Sequence, residues 1–298
     1  MARNADWMRK HLSAEVSVLE RSDVQQEVAT DLYQGGCIYH EHGSLHPGRF
    51  HQALLNAVID AGAIVIGNSR LHDWHAMNIA GDDNPQLLLE TSRGEVQARE
   101  LLLATNGYTG TGVSGLRQHL VSVPSFLVAT EPLSDNVAAS LIPNRRMIVE
   151  TRYRYSYFRM SPDGQRLIWG GRAALHDISP ERSAEMLRGV IQQVFPQLNE
   201  LQFSHSWCGY TAMTMDGIPH VQELHPRVFA AGGFNGSGVA MAPYLGYIAA
   251  MKMLGRQEGD TVLSRLPFKA VPLYRGNPWF MRGLSAWYRF KDWRQQSA

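Results

Sequence analysis

Short, uninterrupted apolar runs punctuate the chain, and each lies beside glycine or an Asn-Gly pair. Residues 63–66 (AIVI) follow Gly62, residues 101–105 (LLLAT) stop at Asn106-Gly107, and residues 228–231 (VFAA) run into Gly232, Gly233, Gly236 and Gly238. Four or five apolar residues bounded by turn formers read as buried strands. Helical patterns lie between them. The N-terminal stretch reads as an amphipathic helix, and residues 15–32 read as a polar helical stretch that ends before Gly35-Gly36. Phe50, Ala53, Leu54, Ala57 and Val58 repeat at helical spacing behind Pro47, a residue that the first turn of a helix tolerates. A further apolar helix is predicted over about 239–254.

The middle of the chain has another rhythm. Residues 87–90 and 95–99 straddle Arg93-Gly94 as a hairpin, and 122–131, 147–151, 155–160, 166–170 and 203–210 read as strands. Pro162-Asp163-Gly164 supplies a turn between two of them. Residues 179–195 form a helix with Ser179 as its cap. The ends therefore predict α/β elements and the centre a mostly antiparallel sheet. The fold class is α/β, α+β overall, with two interleaved domains of which one is discontinuous.

Composition narrows the partners. With 298 residues, 44% of them hydrophobic, the chain can bury a sizeable core. A net charge of +1 gives no global attraction to nucleic acid. No run approaches the ~20 apolar residues of a membrane span. Cys37 and Cys208, far apart, make neither a disulfide framework nor a metal spacing, which points to a reducing, cytoplasmic compartment. His40, His42 and His46 have no ligand spacing of a metal site, and no metal is expected.

Two segments carry candidate chemistry. A strand that turns through glycines into a helix N-terminus gathers free backbone N–H groups, which suits an electron-rich group of a cofactor. A tight turn that needs only glycine dihedrals is the other reading of Gly232 to Gly238. Tyr155, Tyr157 and Arg159 alternate along a strand and so share a face. Two aromatic rings and a guanidinium there can cage an amine and anchor a carboxylate; an amphipathic cover on a solvent face is the alternative.

Six segments in matching order resemble the FAD-dependent amine and amino-acid oxidoreductases of the D-amino-acid oxidase superfamily. They are GSLHPGRF (43–50), GAIVIGNSRL (62–71), LLLATNGYTG (101–110), YSYFRMSPDGQRLIWGGR (155–172), SWCGYTAMTMDGIPHV (206–221) and VFAAGGFNGSGVAMAPYLG (228–246). The 155–172 stretch and the segment around Tyr288 are most similar to the gamma-glutamylputrescine oxidoreductase-like branch, beside glycine oxidase.

The resemblance implies an incomplete Rossmann-like FAD-binding domain from 43–115 and 225–256. An antiparallel substrate domain spans 116–224, with 1–42 as a helical segment of the substrate region and 257–298 as a tail packing on the body. It implies FAD held without a covalent bond by Gly233, Phe234, Asn235, Gly236, Ser237 and Gly238 at the flavin, by Ala104, Thr105, Asn106 and Gly107 near ribose and pyrophosphate, and by Arg70 and Leu71 near adenine. Tyr155, Tyr157 and Arg159 become the substrate face. Ala240 stands where sarcosine oxidases carry lysine, Cys208 lies one residue from their flavin-linked cysteine and is read as structural, and Asp216 reads as a turn cap.

The implied reaction is oxidation of a C–N bond of an amine or amino acid by hydride transfer to flavin N5, with oxygen or a quinone as acceptor. The strand–GxGxxG–helix that opens the family has no counterpart ahead of Glu15. The chain is therefore expected to be truncated and to bind FAD weakly. It would lack independent catalysis, or serve as a non-enzymatic substrate-binding remnant, and it would offer a gap to a second copy or a partner chain.

Overall fold

The computed structural model describes residues 1–77, 86–153 and 155–296, except for the side chains at 114, 293, 295 and 296. In chain order its strands are β1 (Val16–Glu20), β2 (Gly35–Tyr39), β3 (Leu71–Met77), β4 (Gln86–Thr91), β5 (Gly94–Ala98), β6 (Leu101–Leu103), β7 (Val121–Thr130), β8 (Ile148–Val149), β9 (Ser156–Met160), β10 (Leu167–Gly171), β11 (Phe203–Met213), β12 (His220–His225) and β13 (Val228–Gly232). Its α-helices are α1 (Ala2–Leu12), α2 (Arg21–Glu27), α3 (Pro47–Asp60), α4 (Ser114–Arg117), α5 (Asp135–Leu141), α6 (Pro180–Val194), α7 (Gly238–Met253), α8 (Val262–Arg265) and α9 (Met281–Gln296). The mixed class and the antiparallel sheets agree with the reading of the sequence.

Two compact units emerge, each discontinuous in sequence. The first comprises Met1–Phe50, Ser125–Gly209 and Arg282–Ala298. Its sheet runs in the order β11-β7-β10-β9-β8. Period-two alternation explains why β9 sits as it does: Ser156, Phe158 and Met160 are buried, while Tyr157 and Arg159 turn to the other face. Phe158 stacks on Trp169 at 4.0 Å between ring centroids, and Phe195 meets both edge-on. The helix α6 closes this core with Leu187, Ile191 and Val194 on one stripe. Its start is fixed by Ser179, whose side chain accepts from the Arg182 N–H, with Pro180 in the first turn.

The second unit comprises His51–Pro124 and Tyr210–Met281. One sheet has the order β12-β13-β6, with β13 antiparallel to β12 and parallel to β6. The other is the meander β3-β4-β5. Leu87, Leu103, Val113, Leu116, Leu120, Ala212, Val228 and Ala230 form one core. Leu245, Ile248 and Ala249 of α7 pack with Val221 and Ala231 in another.

Two expectations are corrected. Residues 15–32 are not one helix: β1 comes first, pairing antiparallel with β2 from Val16↔Tyr39 to Glu20↔Gly35. Glu20 then starts α2 through a capping box with Asp23. The alternating Val16 and Val18 suit a strand better than a polar helix. Residues 63–66 are neither strand nor buried, and Ile64 is 87% exposed. The preceding helix α3 likewise buries none of its residues, and 63–66 pairs with no described strand.

Candidate functional site

In the second unit, β6 and β13 run side by side, with Val228 opposite Leu101 and Ala230 opposite Leu103. Their carboxyl ends therefore open at one level, where α/β proteins place ligands. Beyond β6 lie Ala104, Thr105, Asn106 and Gly107; beyond β13 lies the turn Gly233 to Gly238. The structure joins the two. Asn106, at φ 45°, accepts a hydrogen bond from Gly233 N at 2.9 Å through its Oδ1. Asparagine is among the few residues that occupy this left-handed region readily.

Within the turn, Gly233 has φ 77° and Gly236 φ 100°. A Cβ on Gly233 would lie 2.3 Å from Thr214 Cγ2, so glycine is required for space as well as for conformation. Asn235 is tied to the strand beside it: its N donates to Ala212 O at 3.1 Å and its Oδ1 accepts from Thr214 N at 3.0 Å. Phe234 packs under Gly238, where a Cβ would stand 3.3 Å from the ring.

The helix α7 then begins without a side-chain cap on its first turn. Ser237 makes no capping bond, and Gly236 and Ser237 are exposed. An uncapped helix N-terminus carries a partial positive charge and unsatisfied N–H groups. This is the chemistry that accommodates the electron-rich N1–O2 edge of a flavin, and the residues present fit it.

Behind the turn lies a group of residues that the sequence reading touched only in part. Asp216 caps its own turn, accepting from Ile218 N at 3.2 Å, and its Oδ2 lies 3.1 Å from Nε2 of the fully buried His220. Burial works against ionisation of Asp216, but hydrogen bonds from His220, Ile218 N and Thr214 outweigh it and hold the carboxyl below the usual range. Phe268 stacks on His220 at 4.5 Å and leans on His119 at 4.7 Å. Thr214 links this cluster to Asn235, so the glycine turn is braced from two strands.

Gly107 is buried because the backbone of Tyr210 passes it; a Cβ there would lie 2.6 Å from Tyr210 O. Arg70 hydrogen-bonds Ser92 Oγ through its backbone N at 3.0 Å, and Leu71 opens β3. Gly110, Gly112 and Gly115 carry a G-x-G-x-x-G spacing that the sequence reading passed over. It leads only into the four-residue α4, and Gly112 faces the His72 carbonyl, where a Cβ would lie 2.1 Å away. Only Gly112 of the three serves close packing, since a Cβ on Gly110 would meet nothing within 4 Å.

In the first unit, the outer face of β9 carries Tyr157 and Arg159, with Tyr155 just ahead of the strand and Arg172 beside it. Tyr157 lies over Gly170, its partner in register, where a Cβ would stand 2.0 Å from the ring. The Tyr157 hydroxyl bonds Ser125 Oγ, and burial pushes its pKa up. Tyr155 stands 6.2 Å from Tyr157 between ring centroids. The Arg172 guanidinium sits 4.6 Å over the Tyr155 ring and donates to its hydroxyl at 3.3 Å. Arg159 instead donates to Leu45 O at 3.1 Å.

The signal for Arg172 was in the hairpin register. Gly170 opposite Tyr157 puts residue 172 beside 155 on the same face. The head of β9 is held by the buried Glu150, which accepts from Tyr33 Oη at 2.7 Å, from Ser156 N at 2.9 Å and from Arg152. Partial desolvation pushes the thiol of the exposed Cys208 up, which disfavours the thiolate. Among the described residues no cluster of His, Cys, Asp and Glu could hold a metal ion, and no helix is long and apolar enough to cross a membrane.

The pattern of the family described as DAO, FAD dependent oxidoreductase, matches residues 1–251. The chain belongs to this family. It is 29% identical over 257 residues to the probable oxidoreductase OrdL of Haemophilus influenzae, covering 85% of this chain and 57% of that protein. It is 26% identical over 268 residues to the gamma-glutamylputrescine oxidoreductase of Escherichia coli, covering 90% of this chain and 61% of that one. The chain thus spans less than two thirds of the length of these curated relatives. The crystal structure of glycine oxidase from Geobacillus kaustophilus superposes with a TM-score of 0.69 at 17% identity, covering 92% of this chain and 71% of that one, a likeness of fold.

Proposed function

We propose that these residues form part of an FAD-dependent enzyme that oxidises a C–N bond of a small-molecule amine or amino acid. The observation that carries the reading is the uncapped head of α7 behind a glycine turn braced by Asn106 and Asn235, in a chain of this family. The flavin supplies the hydride acceptor, N5, for conversion of the amine to an imine, which water hydrolyses to a carbonyl compound and a freed amine.

The chain's own residues bind and orient. Amides of Gly233 to Gly238 hold negative charge that develops at the flavin's pyrimidine edge. Ala104, Thr105, Asn106 and Gly107 serve the ribose side, and Arg70 with Leu71 the adenine side. Tyr155 and Tyr157 offer an aromatic face to a cationic amine. A guanidinium on this face anchors a carboxylate. The sequence assigns that role to Arg159; the stacking on Tyr155 supports Arg172 beside it. In a full-length relative that carries both arginines, the changes equivalent to Arg159→Ala and Arg172→Ala are compared on carboxylate-bearing and simple amines. A larger rise in KM for the carboxylate-bearing amine in either variant supports the anchor, and equal effects on both substrates in both variants remove it.

These 298 residues on their own are proposed to bind FAD weakly. The glycine turn reaches only the flavin end. Each charge-assisted bond missing from the pyrophosphate is worth about 1.5–3 kcal/mol, so the absence of two costs roughly two to four orders of magnitude in affinity. The exposed apolar stretch 63–66 and the outer edge of β6, which ends its sheet among the described residues, support association with a second copy or a partner chain.

A further inference from the structure

We propose that the outer face of α9 docks on an anionic lipid surface. One side of this 16-residue helix is anchored within its own unit. Ser285 is buried, Tyr288 lies 5.6 Å from Tyr153 between rings, and Tyr153 N donates to Asp292 Oδ1 at 2.9 Å. Lys291 bonds Tyr153 Oη at 3.4 Å, with its ammonium 4.7 Å from the Tyr153 ring and 5.3 Å from that of Trp287.

The other side is open. At 3.6 residues per turn, Arg289, Arg282, Ala286, Phe290, Gly283, Arg294 and Trp287 fall on one arc of about 160°, and all are exposed. Trp287 is 52% and Phe290 47% exposed. Arg282 and Arg289 edge the aromatic stripe on one side, Arg294 lies within it and Lys291 edges the other. Arg282, Arg289 and Arg294 make no ion pair with any described residue. The helix's single carboxylate, Asp292, is turned inward to Tyr153, so the charge on the outer face is wholly positive.

Charge and shape select the occupant. An aromatic stripe edged by arginine is the pattern of a helix lying in a membrane interface, where tryptophan settles at headgroup level and arginine meets anionic lipid. Two large apolar side chains fall well short of the ~800 Å² per partner of a stable protein interface, yet they suffice for shallow insertion. The chain's net charge of +1 supplies no long-range pull toward nucleic acid, whereas a local cluster acts within a Debye length of a lipid surface. This surface is independent of the flavin reading.

The test is sedimentation of the full 298-residue chain with phosphatidylcholine vesicles, with and without about one third phosphatidylglycerol, at physiological salt. Partition onto the anionic vesicles alone is expected. Replacing Arg282, Arg289 and Arg294 together by glutamine should weaken it about 100-fold, at roughly fivefold per arginine. The matching triple lysine variant should keep binding, which separates charge from folding. Brominated lipid should quench the wild-type fluorescence and quench less after Trp287→Phe. Equal partition onto both vesicles, or indifference to the glutamine variant, overturns the proposal. So does equally tight binding to heparin or RNA that ignores Trp287→Ser, which marks a polyanion site. Dimerisation of the chain that Trp287→Ser abolishes overturns it in favour of a second copy.

Discussion

Asn106 should be the residue on which the glycine turn depends most. Its Oδ1 is the acceptor for Gly233 N, at 2.9 Å, and its backbone holds φ 45°. Asn106→Ala removes the acceptor and leaves an N–H of a buried residue unpaired, at about 1–3 kcal/mol. It also forces a Cβ-bearing residue with no local hydrogen bond into the left-handed region, at about 1 kcal/mol. The expected loss is about 2–4 kcal/mol in total. Asn106→Gly loses the same bond but not the conformation, so it should be about 1 kcal/mol less harmful. Urea unfolding of the three proteins, with equal m-values, gives both differences. If the alanine variant falls within about 0.5 kcal/mol of wild type, the brace is not a brace. If alanine and glycine are equal, the strain argument fails.

Acid should weaken the same region. Asp216 has a folded carboxyl pKa below its ordinary value, so its ionised form stabilises the protein above about pH 4. That contribution is lost as pH falls through the folded value. Urea midpoints below pH 4 should therefore drop less steeply in Asp216→Asn, and an unchanged slope would contradict the assignment. Ile64→Lys with Ile66→Lys should cut dye binding and aggregation of the chain while leaving stability within about 0.5 kcal/mol, because neither side chain is buried. A large loss of stability would mean that 63–66 is packed after all.

Local pattern carried most of the fold. The strands β9 and β10 were readable because Phe158 and Trp169 alternate with residues of the other face, and α6 because Ser179-Pro180 announces it. The error at 63–66 is of another kind. A β-branched run between turn residues looks buried from sequence, but burial depends on a neighbour far away in the chain. Likewise β1 is a five-residue strand with alternating Val16 and Val18, but its partner β2 starts only at Gly35, a pairing that the local pattern does not announce.

At the site, the glycines and Asn106 were visible as turn formers. That Asn106 reaches Gly233, 127 positions on, required the parallel pairing of β6 and β13. Arg172 was hidden because its partner, Tyr155, is 17 residues away in sequence and adjacent only through hairpin register. His220 lacked any local motif, since its pairing with Asp216 at i−4 lies across a turn and not along a helix.

The most direct test of the account is a fluorescence titration of the 298-residue chain with riboflavin and with FAD, repeated on Ser237→Asp. Both ligands should bind through the flavin end at the turn, with FAD the tighter by no more than about tenfold, or 1.4 kcal/mol, for its added contacts at residues 104–107 and 70–71. Aspartate at the head of α7 satisfies the free N–H groups itself, so it should keep or raise thermal stability while weakening both ligands by tenfold or more. Absence of binding by either ligand, or flavin binding that Ser237→Asp leaves intact, would contradict the placement of the flavin at this turn.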